Sequence, residues 1–196
     1  MTGALPKALT PTLSRARERV TPTAAGEGAD PILKDSLRSG LKLVFCGTAP
    51  SAASAAAQAY YAKPGNRFWK TLHEVRLTKH QFAPKEYGDL LALKIGLTDL
   101  NKRESGVDAK LTKAGFDVPA FKQRMRMHRP RIIAFTSKTA ASKFFERGTG
   151  KIDYGRQEKP FEEIELFVLP STSGLATKYF ETEHWQILAD FFHRLK

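Results

Sequence analysis

A chain of 196 residues is long enough for one domain with a sizeable core. With 41% hydrophobic residues and a formal net charge of +12, it reads as a globular protein that attracts polyanions, nucleic acid first among them. No apolar run approaches the ~18 residues of a membrane span, and the single cysteine, Cys46, excludes an intrachain disulfide and a cysteine-held iron–sulfur cluster.

Residues 1–30 are rich in Thr, Pro, Ala and Gly and lack an apolar period, which predicts a flexible basic arm. Arg15, Arg17 and Arg19 within it face either solvent or DNA phosphates. The arm has no apolar core of the secretory kind, and its few acids leave a transit peptide as the alternative. The expected compartment is the cytoplasm, with nucleoid association if the source is bacterial.

Residues 31–196 are expected to form a single domain. Leu41 to Cys46 (LKLVFC) is a short apolar run ending in glycine and predicts a buried strand. Ser51 to Tyr60 predicts a helix with Ser51 as its N-cap. Asn66 to Val75 sets Phe68, Trp69 and Leu72 at helical spacing, and Pro84 to Leu93 predicts a helix opened by proline. Ile95 to Leu100 is a second strand, and Val118 to His128 an amphipathic helix closed by Pro130. Arg131 to Thr136 is a third strand, Ser137 to Glu146 a helix, and Ile164 to Leu169 a fourth strand. Thr182 to Leu195 closes the chain as a helix with Trp185, Leu188, Phe191 and Phe192 inward.

Strands alternating with helices predict a three-layer α/β/α domain around a four-stranded, mostly parallel sheet. Ligands bind such sheets outside the carboxyl ends of the strands. Those ends carry GTAPS (Gly47, Thr48, Ala49, Pro50, Ser51), the TDLNKRES stretch with Asp99, and PSTSG (Pro170 to Gly174). Loops of unusual composition therefore converge on one edge.

Each loop has a chemical reading and a plain one. Gly47 allows a close turn, and a helix starting near Ser51 would aim free N–H groups at a carbonyl oxygen or phosphate. Asn66, in YYAKPGNRFW, carries a carboxamide that both accepts from and donates to a water, and it equally suits a helix cap. Asp99 either accepts from the N–H groups of a base, holds water, caps a helix, or pairs with Lys102 or Arg103. Ser171, Thr172, Ser173 and Gly174 form a phosphate-type loop or a generic turn. Val118 to Phe145 holds seven Lys/Arg and no acid, so Arg124 and Arg126 are candidates for DNA backbone contacts, a solvated face being the alternative. The histidines (His73, His80, His128, His184, His193) show no metal-ligand spacing. GxSxG and P-loop motifs are absent.

The run FCGTAPSAASAAAQAYYAKPGNRFWK (Phe45 to Lys70), taken with FVLPSTSGLA (Phe167 to Ala176), resembles the uracil-DNA glycosylase superfamily. The nearest branches are the mismatch-specific uracil/thymine glycosylases and the hypoxanthine-DNA glycosylases. Mismatch-type enzymes carry Gly-Ile-Asn-Pro-Gly in the first motif, and Ala49 stands where their water-positioning Asn would be. The hypoxanthine branch also lacks that Asn and shares Tyr-Tyr-Ala-x-Pro-x-Asn-x-Phe-Trp, which implies Asn66 as the catalytic residue.

The resemblance further implies that Tyr61 stacks on the extruded base, with Tyr60 in the core. It implies that Asp99 faces the base's edge and that Ser171 to Gly174 hold flanking phosphates. Leu175 would be a wedge filling the gap, and Lys178 a phosphate contact. The implied activity is hydrolysis of the N-glycosidic bond of a deaminated base in DNA, uracil first, without metal or organic cofactor. No lysine suits a Schiff base, so lyase activity is not expected. The protein is expected to act as a monomer. Hypoxanthine excision and non-catalytic binding of damaged or abasic DNA stay open as alternatives, the latter because of Ala49.

Overall fold

The computed structural model describes residues 1–2 and 30–195, with the backbone alone for 177–179. The expectation of a basic arm over residues 1–30 falls largely outside these residues. Five strands form one sheet: β1 (Leu43–Gly47), β2 (Ile95–Asp99), β3 (Ile132–Phe135), β4 (Gly155–Arg156) and β5 (Glu165–Val168). Their order is β2-β1-β3-β5-β4. The four strands expected from the sequence are all present and mutually parallel. The fifth, β4, runs antiparallel to β5. It has two residues, too few to show the alternation that marks a strand.

Alternate residues of each strand enter different cores, because side-chain direction reverses at every step. Leu43, Phe45, Ile95, Leu97, Ile132, Ala134 and Phe167 share one cluster with Phe68, Trp69 and Leu72 of α2 (Phe68–Glu74) and Trp185, Leu188 and Phe192 of α5 (Glu183–Arg194). On the opposite face Val44, Cys46, Ile133, Phe135, Leu166 and Val168 pack against Phe121 and Met125 of α3 (Val118–His128) and Ala140, Ala141 and Phe144 of α4 (Lys138–Phe145). Both faces of the sheet are covered, which makes three layers.

Local sequence sets the helix ends. Ser137 Oγ accepts from Ala140 N–H at 3.0 Å and Asp117 Oδ1 from Ala120 N–H at 2.9 Å. The helix after β1, α1 (Ala52–Ala57), is shorter than the expected Ser51–Tyr60. It stops at Gln58 in the left-handed conformation, and Tyr61 adopts φ +53° a few residues on. Pro84–Leu93 is a run of 3-10 turns rather than an α-helix. Among the described residues no helix is long and apolar enough to cross a membrane.

Register and order together locate the cleft. Gly47 lies level with Asp99, Cys46 with Phe135, and Phe135 with Val168, so the strands end along one line. The chain steps from β1 to β2 on one side and later returns to β3 on the other. The sheet therefore reverses its winding at β1, and a crevice opens beyond that strand.

Candidate active site

A cleft of about 340 Å³ occupies this position. It is lined by Gly47 to Ser51, Tyr61, Asn66, Asp99 and the loop Ser171 to Ser173 with Leu175. The loops named from the sequence thus meet. The cleft also takes Lys63, Asp108, Thr136, Ser137 and Thr139, which the sequence reading missed. Thr136 and Ser137 follow β3 in a plain FTSK stretch, whose only signal was its place at a strand end.

Asp99 is the last residue of β2 and is 3% exposed. A Cβ on Gly47 would collide with its carboxylate, so glycine is required where the acid crosses β1. Its Oδ2 is buried and makes no hydrogen bond among the described residues. Burial pushes its pKa up to about 7; Lys102 pulls it down, Asp35 pushes it up, and Arg124 pulls it down. Near neutrality it therefore serves as either carboxylate or acid, as groups in reactive clefts often do. The pairing with Lys102, one of the alternatives for Asp99, goes instead to Asp35, 2.8 Å from Lys102 Nζ.

Tyr61 stacks on Phe68, with ring centroids 3.7 Å apart and 15° between planes. Its hydroxyl lies 3.2 Å from Thr136 Oγ1. Phe68 thus backs the Tyr61 ring at the cleft wall. Burial, then the charge of Asp99, raises the Tyr61 hydroxyl well above its usual range, so it stays neutral. Tyr60 belongs to the core, as does Trp69.

Asn66 precedes α2, and its Oδ1 accepts from Phe68 N–H at 2.9 Å. The N-cap itself is Arg67, with no side-chain cap bond, so Asn66 braces the helix start from one residue outside instead of capping it; its Nδ2 has no partner among the described residues. Arg67 N–H donates to the Thr172 carbonyl at 2.9 Å, which ties this turn to the PSTSG loop. A Cβ on Gly174 would press to 3.3 Å from the Gly65 carbonyl, so the two loops abut there.

Within PSTSG, Ser171 Oγ accepts from Ser173 N–H at 3.3 Å, and Ser173 Oγ from Leu175 N–H at 3.4 Å. Thr172 is 2% exposed, so its side chain serves the loop's interior. Leu175 is 74% exposed at the lip. The expectation for Lys178 falls on a side chain outside the described residues.

At the first motif, Ser51 Oγ takes Ser54 N–H at 3.1 Å. The helix there has six residues, and Ser51 takes up Ser54 and Ala55 N–H through its hydroxyl and carbonyl, which leaves the N–H groups of Ala52 and Ala53 at the helix start. Ala49 presents only a methyl, and Thr48 Oγ1 lies 3.3 Å from Ser137 Oγ. Arg124 and Arg126 do not line the cleft. Arg124 Nε lies 3.2 Å from Asp35 Oδ2, and Arg126 Nε 2.7 Å from Glu162 Oε1. Each is engaged with an acid far away in sequence, which a basic run cannot reveal. No three His, Cys, Asp or Glu side chains converge as metal ligands among the described residues.

A crevice at the carboxyl edge of a parallel sheet, lined by a buried acid, a tyrosine, an amide and a hydroxyl-rich loop, defines an α/β protein with a polar cleft where its sheet reverses its winding. The model of the uracil DNA glycosylase superfamily matches residues 35–192. The chain belongs to that superfamily, whose members are DNA glycosylases of base excision repair. Its fold is similar to the solution NMR structure of a Methanosarcina acetivorans protein provisionally named a uracil DNA glycosylase. The TM-score is 0.60 at 24% identity, over 83% of this chain and 97% of that one.

Proposed function

We propose that the cleft hydrolyses the N-glycosidic bond of a deaminated base in DNA, uracil first, and leaves an abasic site. The glycosidic carbon is unreachable inside a duplex, so the nucleotide is extruded into the cleft. The volume of about 340 Å³ suits a single nucleotide unit. Tyr61, backed by Phe68, offers an aromatic surface for the base, and Leu175 enters the gap left behind. Ser171 and Ser173 supply hydroxyls to flanking phosphates.

The observation that carries the reading is the buried Asp99 carboxyl, with an unpartnered oxygen, in the cleft that Asn66 also lines. In its ionised form Asp99 accepts from the attacking water and takes its proton. Asn66 positions that water through Nδ2 and the second lone pair of Oδ1. In its neutral form Asp99 donates to a departing base, which removes the objection to a fixed negative charge beside an anionic leaving group. The reaction needs no metal or organic cofactor, and the protein acts as a monomer.

Ala49 favours a second reading, hypoxanthine excision, because the branch with that base also lacks the first-motif amide. Incubation with duplexes carrying uracil, hypoxanthine or a thymine mismatch separates the readings by the free base released. Release of uracil is expected. Binding of abasic DNA without release of any base would overturn the hydrolytic reading in favour of a damage-binding protein.

A further inference from the structure

Resting on the glycosylase reading of the cleft, we propose that Asp35, clasped by Lys102 and Arg124 behind β2, is a positioning residue that sets when Asp99 carries its charge. The three side chains come from separate parts of the chain: the segment before β1, the loop after β2, and α3. Thr98, one residue before Asp99 and on the opposite face, donates through Oγ1 to Asp35 Oδ1 at 2.6 Å. Lys102 Nζ lies 2.8 Å from the same oxygen and donates to Tyr60 Oη at 3.4 Å. Arg124 Nε lies 3.2 Å from Asp35 Oδ2, a charge contact whose N–H is not aimed at the oxygen. The same guanidinium reaches the Asp99 carbonyl through Nη2 at 3.5 Å.

The cluster holds two cations and one anion, so a surplus positive charge stands behind the cleft acid. Its members are only partly covered: Lys102, Arg124 and Asp35 side chains are 14%, 23% and 21% exposed. Such largely covered pairs add little net stability over apolar contacts, but loss of one partner is destabilising because it leaves the other charge uncompensated. Their electrostatic effect on a fully buried neighbour is larger, because the low-dielectric interior screens it less.

Tyr61, Tyr60 and Cys46 are buried around Asp99, and burial raises all three well above their usual ranges. They stay neutral across the working range. Lys63 and Asp108 line the same cleft, but the charges that act on Asp99 are those of Lys102, Asp35 and Arg124. The cations favour its ionised form and Asp35 opposes it.

The test is a pH titration of the Asp99 carboxyl carbon by NMR in the free full-length protein, without DNA. Lys102→Met and Arg124→Met should each raise the midpoint, and Asp35→Asn should lower it, by about one pH unit in each case. Lys102→Arg should restore the native midpoint. Loosening that admits water lowers the midpoint of a buried acid, so an upward move reports the lost cation and not damage. Should Lys102→Met fail to fold, Lys102→Gln carries the same expectation. An unmoved midpoint, or a downward move in all three variants, would overturn the proposal. The acidic limb of the excision rate should follow the same shifts. Absence of excision would sink the glycosylase reading and leave the titration result standing by itself.

Discussion

Burial of Asp99 at the end of β2 works against its ionised form. An acid whose folded pKa lies near 7, against 3.8 as its ordinary value, binds more protons folded than unfolded. Stability from this group is therefore lost as pH rises from about 4 through 7. Asp99→Asn should raise the melting temperature at pH 8, with a ceiling on the order of 4 kcal/mol, and the gain should vanish near pH 4. Thermal melts across that range check it; a gain independent of pH would contradict the burial argument. Asn66 couples packing to chemistry in another way. Asn66→Asp keeps the Oδ1 acceptor for Phe68 N–H and removes the Nδ2 donor, whereas Asn66→Ala also loses that hydrogen bond, worth about 1 kcal/mol. Both should lose excision, and only the second should lose stability. A full rate in Asn66→Asp would show that Nδ2 plays no part. Asp99 was legible as a candidate because it ends a strand, and Asn66 because it sits in the YYAKPGNRFW motif that resembles the hypoxanthine branch. That Asp99 lacks a partner was not legible, since it depends on Lys102 and Arg124 being engaged by Asp35.

On one side of the cleft two loops are tied to each other, and those ties explain its shape there. The Arg67–Thr172 hydrogen bond and the Gly65–Gly174 approach fix the PSTSG loop against the turn that presents Asn66. Leu175 stands beyond these ties, at the lip. Its wedge role predicts an order of effects, because extrusion from a paired site costs a few kcal/mol and from single strands little. Leu175→Ala should slow excision most from paired uracil, less from a mismatch and least from single-stranded DNA. Asn66→Asp should slow all three about equally. Equal losses for Leu175→Ala would make Leu175 a packing residue of the loop. The long apolar strands and the helices with polar caps were readable in advance: α3 has the limits expected of it, and Ser137 caps α4 as a serine at that place should. What escaped were elements without periodicity, such as β4, and elements whose backbone departs from its local preference. The alanine-rich stretch favours helix through Tyr60, yet the left-handed turns at Gln58 and Tyr61 reverse the chain to bring Tyr61 onto Phe68.

The molecule as a whole is cationic, with a net charge of +12, and its DNA affinity should fall with salt at a slope of roughly -0.9 per phosphate contacted. The sequence assigned part of that slope to Arg124 and Arg126, but each faces an acid in the fold. Arg126→Gln should leave the slope unchanged, and a flattened slope would return that residue to the DNA face. The three-layer fold and the converging loops follow from strand order and register, so they were visible in outline. The charge pairing was not, because Arg126 and Glu162 meet only after the sheet forms. The most direct measurement is single-turnover uracil release from a duplex by the wild-type protein and by Asp99→Asn, with affinity for the same DNA measured alongside. Loss of a general base predicts a fall of ~10²-fold or more in rate with affinity changed far less. Undiminished release by Asp99→Asn, or none by the wild type at any pH, would contradict the account.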